Sequence, residues 1–395
     1  MRLTFTHAQL VDADGEQHNA ALTIDGGQIV ARGPDADNGD AAIDLSDMIV
    51  TPGFVDVHTH GGGSFNLHTN DAGEIRAYAR WTPATGTTSF LIGVVGVPAT
   101  LPEAQLRAAI EAIETPGPGA EPLGIHLEGP YMSVNKRGAH DPSWLRQPEA
   151  AETEQLLELT KGQLRLITLA PELPNADAMI RQLVDAGVTV SIGHTDATYE
   201  QARDAIPLGI THATHCFNAM RPLHHREPGP LGAIVEAESV RGELIADGVH
   251  VHPAALRVMI RALGAERTII VTDALSCAGL PNAEFTFAGQ PARVIDGVAR
   301  LSDGTITGSV LTTDQALRNL VELVGVALPD AVRMLTLNPA HSAGAAQRKG
   351  RIQPGYDSDL LIFDRDLRLQ ATICRGKLAF VTEAWHDRLT QLETV

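Results

Sequence analysis

The sequence predicts an α/β fold: a (β/α)8 TIM-type barrel with a small β-sandwich domain formed by both chain termini. Three observations carry this expectation. Apolar, β-branched runs alternate with Ala/Leu/Glu-rich segments of helical period from residue 54 onward, the pattern of a parallel sheet buried on both faces. The runs are eight: FVDVHTH, TTSFLIGVV, LGIHLEG, RLITLAP, VTVSIGHT, ITHATHC, GELIADGVH and TIIVTDA, the number that closes a TIM-type barrel. Both ends of the chain read instead as short strands punctuated by turns.

In chain order, LTFTHAQLVD, AALTIDGGQIVARG with its Gly-Gly turn, and AAIDLSDMIV form a β unit over residues 1–52. Residues 53–344 hold the repeats, with helices between strands at 104–114, 175–187 and 197–206 and after them at 312–325 and 328–337. Two stretches break the rhythm. Residues 130–150 are too long and polar for a simple βα loop, and 281–305 read as a β excursion after strand eight; long insertions at a barrel mouth shape substrates. The tail from 345 to 395 returns to strands in DSDLLIFDRDLRLQATICRGKLAFV, so it can pair with the N-terminal unit.

Composition bounds the function. The 395 residues are 44% hydrophobic and 4% aromatic, ordinary for a globular chain with an aliphatic core. With 48 acidic against 30 basic residues, the net charge of -18 disfavours nucleic acid and anionic membranes as partners. The N-terminus lacks the apolar core of a signal peptide, and no run approaches a membrane span. Cys216, Cys277 and Cys374 are few, odd in number and widely spaced, which points to a reducing compartment. A cytoplasmic location is the expectation.

Histidines and single acids recur at the downstream ends of the predicted strands: VDVHTH, IHLEGP, SIGHTD, THATHCFNAM, ADGVH and VTDA. That end of a TIM barrel is where active sites are built. In TPGFVDVHTH at 51–60, strand alternation puts His58 and His60 on one face with backbones roughly 7 Å apart, suited either to chelating an ion or to sitting exposed at a strand end. Glu128, before Gly-Pro, is a carboxylate that must be paired or metal-bound and can bridge two ions. With His194 and His215 it supplies the N/O donors of a zinc-like hydrolytic centre. Asp273 is the candidate to deprotonate water, with ligation or helix capping as its other uses.

Taken together, PGFVDVHTH, HLEGP, GHT, THCFNAM, REPG, ADGVHV and VTDA closely resemble the N-acetylglucosamine-6-phosphate deacetylases of the amidohydrolase superfamily. The resemblance covers the barrel and both β-rich ends, and HxH alone would mark only the superfamily. It implies a homodimer acting on a small phosphosugar, with one or two divalent metals per subunit, zinc foremost and iron, manganese or cobalt as alternatives. Glu128, His194 and His215 match the shared metal site and Asp273 the catalytic acid/base, while His58 and His60 add a second metal position that some family members lack. The matching substrate contacts are Ala139 and His140, Asn218 and Ala219, Arg226 for the phosphate, Asp247, Gly248, Val249 and His250, and Ile306, Thr307 and Gly308. The implied reaction releases acetate and glucosamine 6-phosphate. The galactosamine epimer, a cyclic-amidase relative and a non-catalytic barrel scaffold are the alternatives. Cyclic amidases commonly bridge their metals through a modified lysine, and LGIHLEG and RLITLAP contain none.

Overall fold

The computed structural model describes residues 2–33, 36, 39–280, 283–287 and 289–389. Positions 1, 34, 35, 37, 38, 281, 282 and 288, and the tail end 390–395, belong to segments assigned above and lie outside the described residues. Eight parallel strands, numbered here in chain order, are β1 (Phe54–Asp56), β2 (Thr87–Val95), β3 (Glu121–Glu128), β4 (Leu164–Leu169), β5 (Thr189–Ile192), β6 (Ile210–Ala213), β7 (Arg241–Ile245) and β8 (Thr268–Val271). Each pairs with its sequence neighbours, so the sheet order equals the chain order. Just beyond β1 and β8, the amide of Asp273 donates to His58 O at 2.8 Å and that of His60 to Ala274 O at 2.7 Å, bridging the two edges.

These strands lie inside the molecule because both their faces are apolar; every residue of β2 is buried. Helices cover the outside, their boundaries set by local chemistry. Thr198 and Gln201 form a capping box that starts Tyr199–Ala205, satisfying amide groups that the helix itself leaves unpaired. The periods at 104–114 and 175–187 become Glu103–Glu114 and Ala176–Asp185. The expected helix at 312–325 instead changes at Leu320 into a wider turn over Leu320–Val324 that ends on left-handed Gly325. The excursion after β8 is a three-stranded antiparallel sheet, Glu284–Phe287, Gln290–Ile295 and Val298–Leu301. Among the described residues no helix is long and apolar enough to cross a membrane.

Strands from both ends of the chain meet in one further sheet, where Ile49–Pro52 pairs parallel with Arg2–Asp12 and antiparallel with Leu360–Phe363. Its core, around Leu3, Phe5, Leu10, Leu22, Ile362 and Ile373, is separate from that of the parallel sheet. A buried charge cluster joins the two sheets. Lys349, whose side chain is 1% exposed, lies 2.5 Å from Asp359, 2.8 Å from Asp357 and 2.7 Å from Glu121 of β3; Arg348 adds contacts to Glu121 and Asp357.

Removing one member of such a cluster strands the others. Lys349→Met is therefore expected to lower the unfolding free energy by about 3–5 kcal/mol, read as a shift of the urea midpoint. The cluster also carries an acid sensitivity. Burial works against ionised Glu121, but the Arg348 hydrogen bond and the Lys349 charge outweigh it and lower the carboxyl from 4.5 to about 2. Because the folded pKa is depressed, this stabilisation is complete above pH 4.5 and drains away as the pH falls towards 2. A midpoint equal to that of wild type in the Lys349→Met protein, at neutral pH, would sink the claim.

Candidate metal centre

The parallel sheet delivers its polar residues to one end by breaking each strand at the right place. β5 stops at Ile192 and β6 at Ala213; His194, His215 and Asp273 then take positive φ angles of 46°, 26° and 48°. Non-glycine residues hold such angles at a cost of about 1–3 kcal/mol each, and that strain gathers at functional sites. β1 is shorter than strand alternation predicts. It ends at Asp56, because the chain beyond bonds across the seam to Asp273 and Ala274 rather than continuing the ladder. His58 and His60 accordingly meet edge to face, ring centroids 5.3 Å apart.

Glu128, at the end of β3, is 3% exposed and sits among five imidazoles. Its Oε1 lies 3.1 Å from His194 Nε2, 3.3 Å from His215 Nε2 and 3.4 Å from His58 Nε2. Its Oε2 lies 3.2 Å from His60 Nε2 and 3.4 Å from His140 Nε2. Asp273 Oδ1 is 3.5 Å from His58 Nε2 and 3.4 Å from His60 Nε2. The donors fall into two groups, His58, His60 and Asp273, and Glu128, His194 and His215, each with its donor atoms within 4.8 Å of one another.

These residues fit divalent ions on three counts. His194 Nε2 and His215 Nε2 face each other at 3.0 Å and both lie within 3.3 Å of Glu128 Oε1, while His194 Nδ1 donates to Lys136 O at 2.9 Å, so Nε2 is the atom turned towards the cluster. Among the described residues, the buried nitrogens His58 Nε2, His60 Nδ1 and His215 Nδ1 have no hydrogen-bond partner; buried polar atoms are rarely left so. The carboxylates also demand positive charge. Burial opposes a proton on His58, yet Glu243, Asp273 and Glu128 hold its pKa well above the ordinary value. Burial likewise opposes a charged His60, but hydrogen bonds to Asp273 and Glu128 raise it to about 9. For Glu128, burial disfavours ionisation, and the His58 charge with hydrogen bonds from His140, His194 and His215 pulls the pKa well below the carboxylate range. Cations in place of protons satisfy the same field.

A cavity of about 170 Å³ opens over this cluster, lined by Glu128, His194, His215 and Asp273 together with Ala139, His140, Asn218, Ala219, His250, Ile306, Thr307 and Gly308. His58 and His60, fully buried or nearly so, are not among its lining residues. Arg226 is exposed outside it, its Nη1 2.7 Å from His225 Nε2. Asp247 does not line it either: Asp247 Oδ2 takes the Nδ1 proton of His250 at 2.6 Å, and its Oδ1 accepts the amides of Val249 and His250. Gly248 and Val249 complete that turn, outside the cavity wall. Three larger concavities, about 610 Å³ against the three-stranded sheet, 680 Å³ beside Pro116–Gly119 and 480 Å³ beside Asp44 and Arg388, have neither metal-donor group in their walls.

Sequence reasoning misses Phe287, whose ring stands 5.5 Å from His60 and 5.8 Å from His140, and Gly138, which leaves room for the His194 ring. It also misses Glu243, wholly buried in β7 and 2.9 Å from His58 Nδ1. An acid interrupting the apolar run GELIA is the same signal that selects Glu128.

Residues 49–381 match the Amidohydrolase family. An N-acetylglucosamine-6-phosphate deacetylase of Lysinibacillus sphaericus is 34% identical over 97% of this chain and 99% of its own. The chain belongs to the amidohydrolase family, among the N-acetylglucosamine-6-phosphate deacetylases. An N-acetylgalactosamine-6-phosphate deacetylase of Escherichia coli O157:H7 is 37% identical, covering 84% of this chain and 88% of its own. Among solved structures, the Mycobacterium smegmatis N-acetyl-D-glucosamine-6-phosphate deacetylase, a mutant in complex with N-acetyl-D-glucosamine-6-phosphate, superposes with a TM-score of 0.88 at 36% identity over 97% of this chain and 99% of that one. The Pasteurella multocida enzyme gives a TM-score of 0.91 at 30% identity, over 97% and 100%. This amidohydrolase thus shares sequence along nearly its whole length with relatives of one chemistry and two sugar epimers.

Proposed function

We propose that the chain is a metal-dependent hydrolase that removes the acetyl group of N-acetyl-D-glucosamine 6-phosphate, giving D-glucosamine 6-phosphate and acetate. One observation carries the reading: two contiguous donor groups of histidine and carboxylate lie together at the end of a parallel sheet, in a chain of this family. Glu128, His194 and His215 would hold one divalent ion and His58, His60 and Asp273 would hold a second, with zinc favoured by the N/O donors and iron, manganese or cobalt as alternatives. Such an ion supplies Lewis acidity, polarising a carbonyl and acidifying water.

The chain's own groups do the rest. Asp273 accepts the proton of the attacking water and returns it to the sugar nitrogen as the C–N bond breaks, so the amine leaves neutral. Burial lowers the pKa of His140 despite the Glu128 hydrogen bond; the neutral ring has one N–H, which lies 3.4 Å from Glu128 in the resting protein and would turn from it to stabilise the tetrahedral oxyanion. A cavity of about 170 Å³ is small beside ordinary ligand sites of roughly 300–1,000 Å³. It encloses the acetamide end, and the phosphate lies at its rim, between the Ala219 amide and His250 of the wall and Arg226 beyond it.

The same reading divides the molecule into a (β/α)8 barrel over 53–344 and a β-sandwich from 1–52 and 345–395, supported by the seam hydrogen bonds and by the pairing of both chain ends. A cytoplasmic site accords with three buried, unpaired cysteines. A homodimer is supported by Leu223 and Val249, exposed at 54% and 46% beside the phosphate-side loops.

The Escherichia coli O157:H7 relative favours one second reading, that the preferred substrate is the galactosamine epimer. Acetate release from both phosphorylated N-acetylhexosamines and from their unphosphorylated forms separates the two. The expected result is fastest turnover of the glucosamine 6-phosphate derivative and a large loss of kcat/KM without phosphate. No release from any of the four rejects the proposal.

A further inference from the structure

We infer that Glu243 is a positioning residue: it keeps the proton of His58 on Nδ1, turns the Nε2 lone pair into the metal centre, and so sets the affinity of the His58, His60 and Asp273 group for its ion. The inference rests on the reading of the cluster as a metal centre. Glu243 lies in β7 with no exposure at all, and the deacetylation steps above make no use of it. A carboxylate taken out of water costs several kcal/mol unless charge and hydrogen bonds repay it, so its surroundings reveal its task.

Glu243 Oε2 lies 2.9 Å from His58 Nδ1 and accepts the backbone N–H of His215 at 3.0 Å. One oxygen therefore braces a member of each donor group. A neutral imidazole carries one proton, and a carboxylate beside Nδ1 retains it there. His58 Nε2 is then a lone pair, buried, without a hydrogen-bond partner, and 3.4 Å from Glu128 Oε1 and 3.5 Å from Asp273 Oδ1. Glu243 Oε1 is occupied on its other side by His212 Nε2 at 2.8 Å, and His212 Nδ1 lies 3.0 Å from Ser342 Oγ. A buried relay thus runs from Ser342, at the end of helix Leu337–Ser342, through His212 and Glu243 to His58. With both carboxylate oxygens engaged, Glu243 has no freedom to swing into the site as a ligand itself; the only donor ring it touches is His58, its contact to His215 being to the backbone amide, which a glutamine oxygen also accepts.

The test compares wild type with Glu243→Gln, His58→Asn and the double variant, each stripped with chelator and titrated with cobalt(II), whose absorption reports each bound equivalent. Glu243→Gln is expected to weaken the equivalent that His58→Asn abolishes by roughly 10–100-fold, and to leave the Glu128, His194 and His215 equivalent within about threefold of wild type. In the His58→Asn background it should add nothing, because its effect runs through that ring. Cobalt binding by Glu243→Gln equal to wild type overturns the inference. So does a further loss in the His58→Asn background, the mark of a general structural role, and so does wild-type binding that His58→Asn leaves unaltered. If Glu243→Gln does not fold, nitrogen NMR of the zinc-loaded wild type decides: a proton retained on His58 Nδ1 with Nε2 ligated supports the inference, and a ligated Nδ1 overturns it. Failure of the functional proposal looks different, since a chain that passes the cobalt test yet releases no acetate loses its assigned substrate and keeps this role for Glu243.

Discussion

Replacing Asp273 by asparagine is expected to lower kcat for acetate release by roughly 10²- to 10⁴-fold, the range a positioned acid/base contributes, with a far smaller change in substrate affinity. The substitution is nearly isosteric. It keeps the backbone amide that donates to His58 O at 2.8 Å and removes only the ability to take and return a proton. In the acid form two things pull on Asp273: burial raises its pKa, and the His58 charge with the His60 hydrogen bond lowers it further than burial raises it. The group is thus held ionised in the resting protein, the state a proton acceptor needs. Initial rates at saturating substrate, together with metal content by elemental analysis, separate the proton-transfer role from ligation. Near-normal turnover refutes the assignment, and a loss of rate that tracks loss of metal would recast Asp273 as chiefly a ligand.

Glu128→Gln is expected to be still more damaging. The carboxylate touches His58, His60, His140, His194 and His215 at distances from 3.1 to 3.4 Å, so an amide in its place cancels a negative charge and points an N–H pair at ring nitrogens that are themselves donors or ligands. Stabilisation worth several kcal/mol is lost, and at 1.36 kcal/mol per decade that is a fall of about 10³-fold or more in rate. Metal retained after gel filtration should drop with it. A variant that keeps its metal and turns over within about tenfold of wild type, a difference of 1.36 kcal/mol, would show that the ion is held elsewhere.

Much of this was legible in the residues themselves. Glu128, His194, His215 and Asp273 each interrupt an apolar run just where a strand ends, and a polar group in such a place has to be justified by a partner. The eight runs were readable for the same reason, since strands buried on both faces need near-continuous apolar side chains. What escaped is set by contacts between distant segments. Strand alternation extends β1 through His60, but the hydrogen bonds to Asp273 and Ala274 bend the chain after Asp56. Phe287 reaches His60 only because the three-stranded sheet folds back over the site, and no local pattern encodes that return. Glu243 was visible as an acid in an apolar strand, but its partners His58 and His212 come from just beyond β1 and from β6, so sequence spacing alone gives it no address.

The seam between the first and last parallel strands has a consequence for biosynthesis. His58 leaves the ribosome early, whereas Asp273, whose amide bonds to it, arrives only after every intervening strand has been made. Leu360–Phe363, which pairs with Ile49–Pro52, comes later still. The Glu128, His194 and His215 group is complete in sequence by residue 215, whereas the His58, His60 and Asp273 group waits for residue 273. The two groups thus become available at different stages of translation, and a product terminated between residues 215 and 273 carries the donor side chains of one without those of the other.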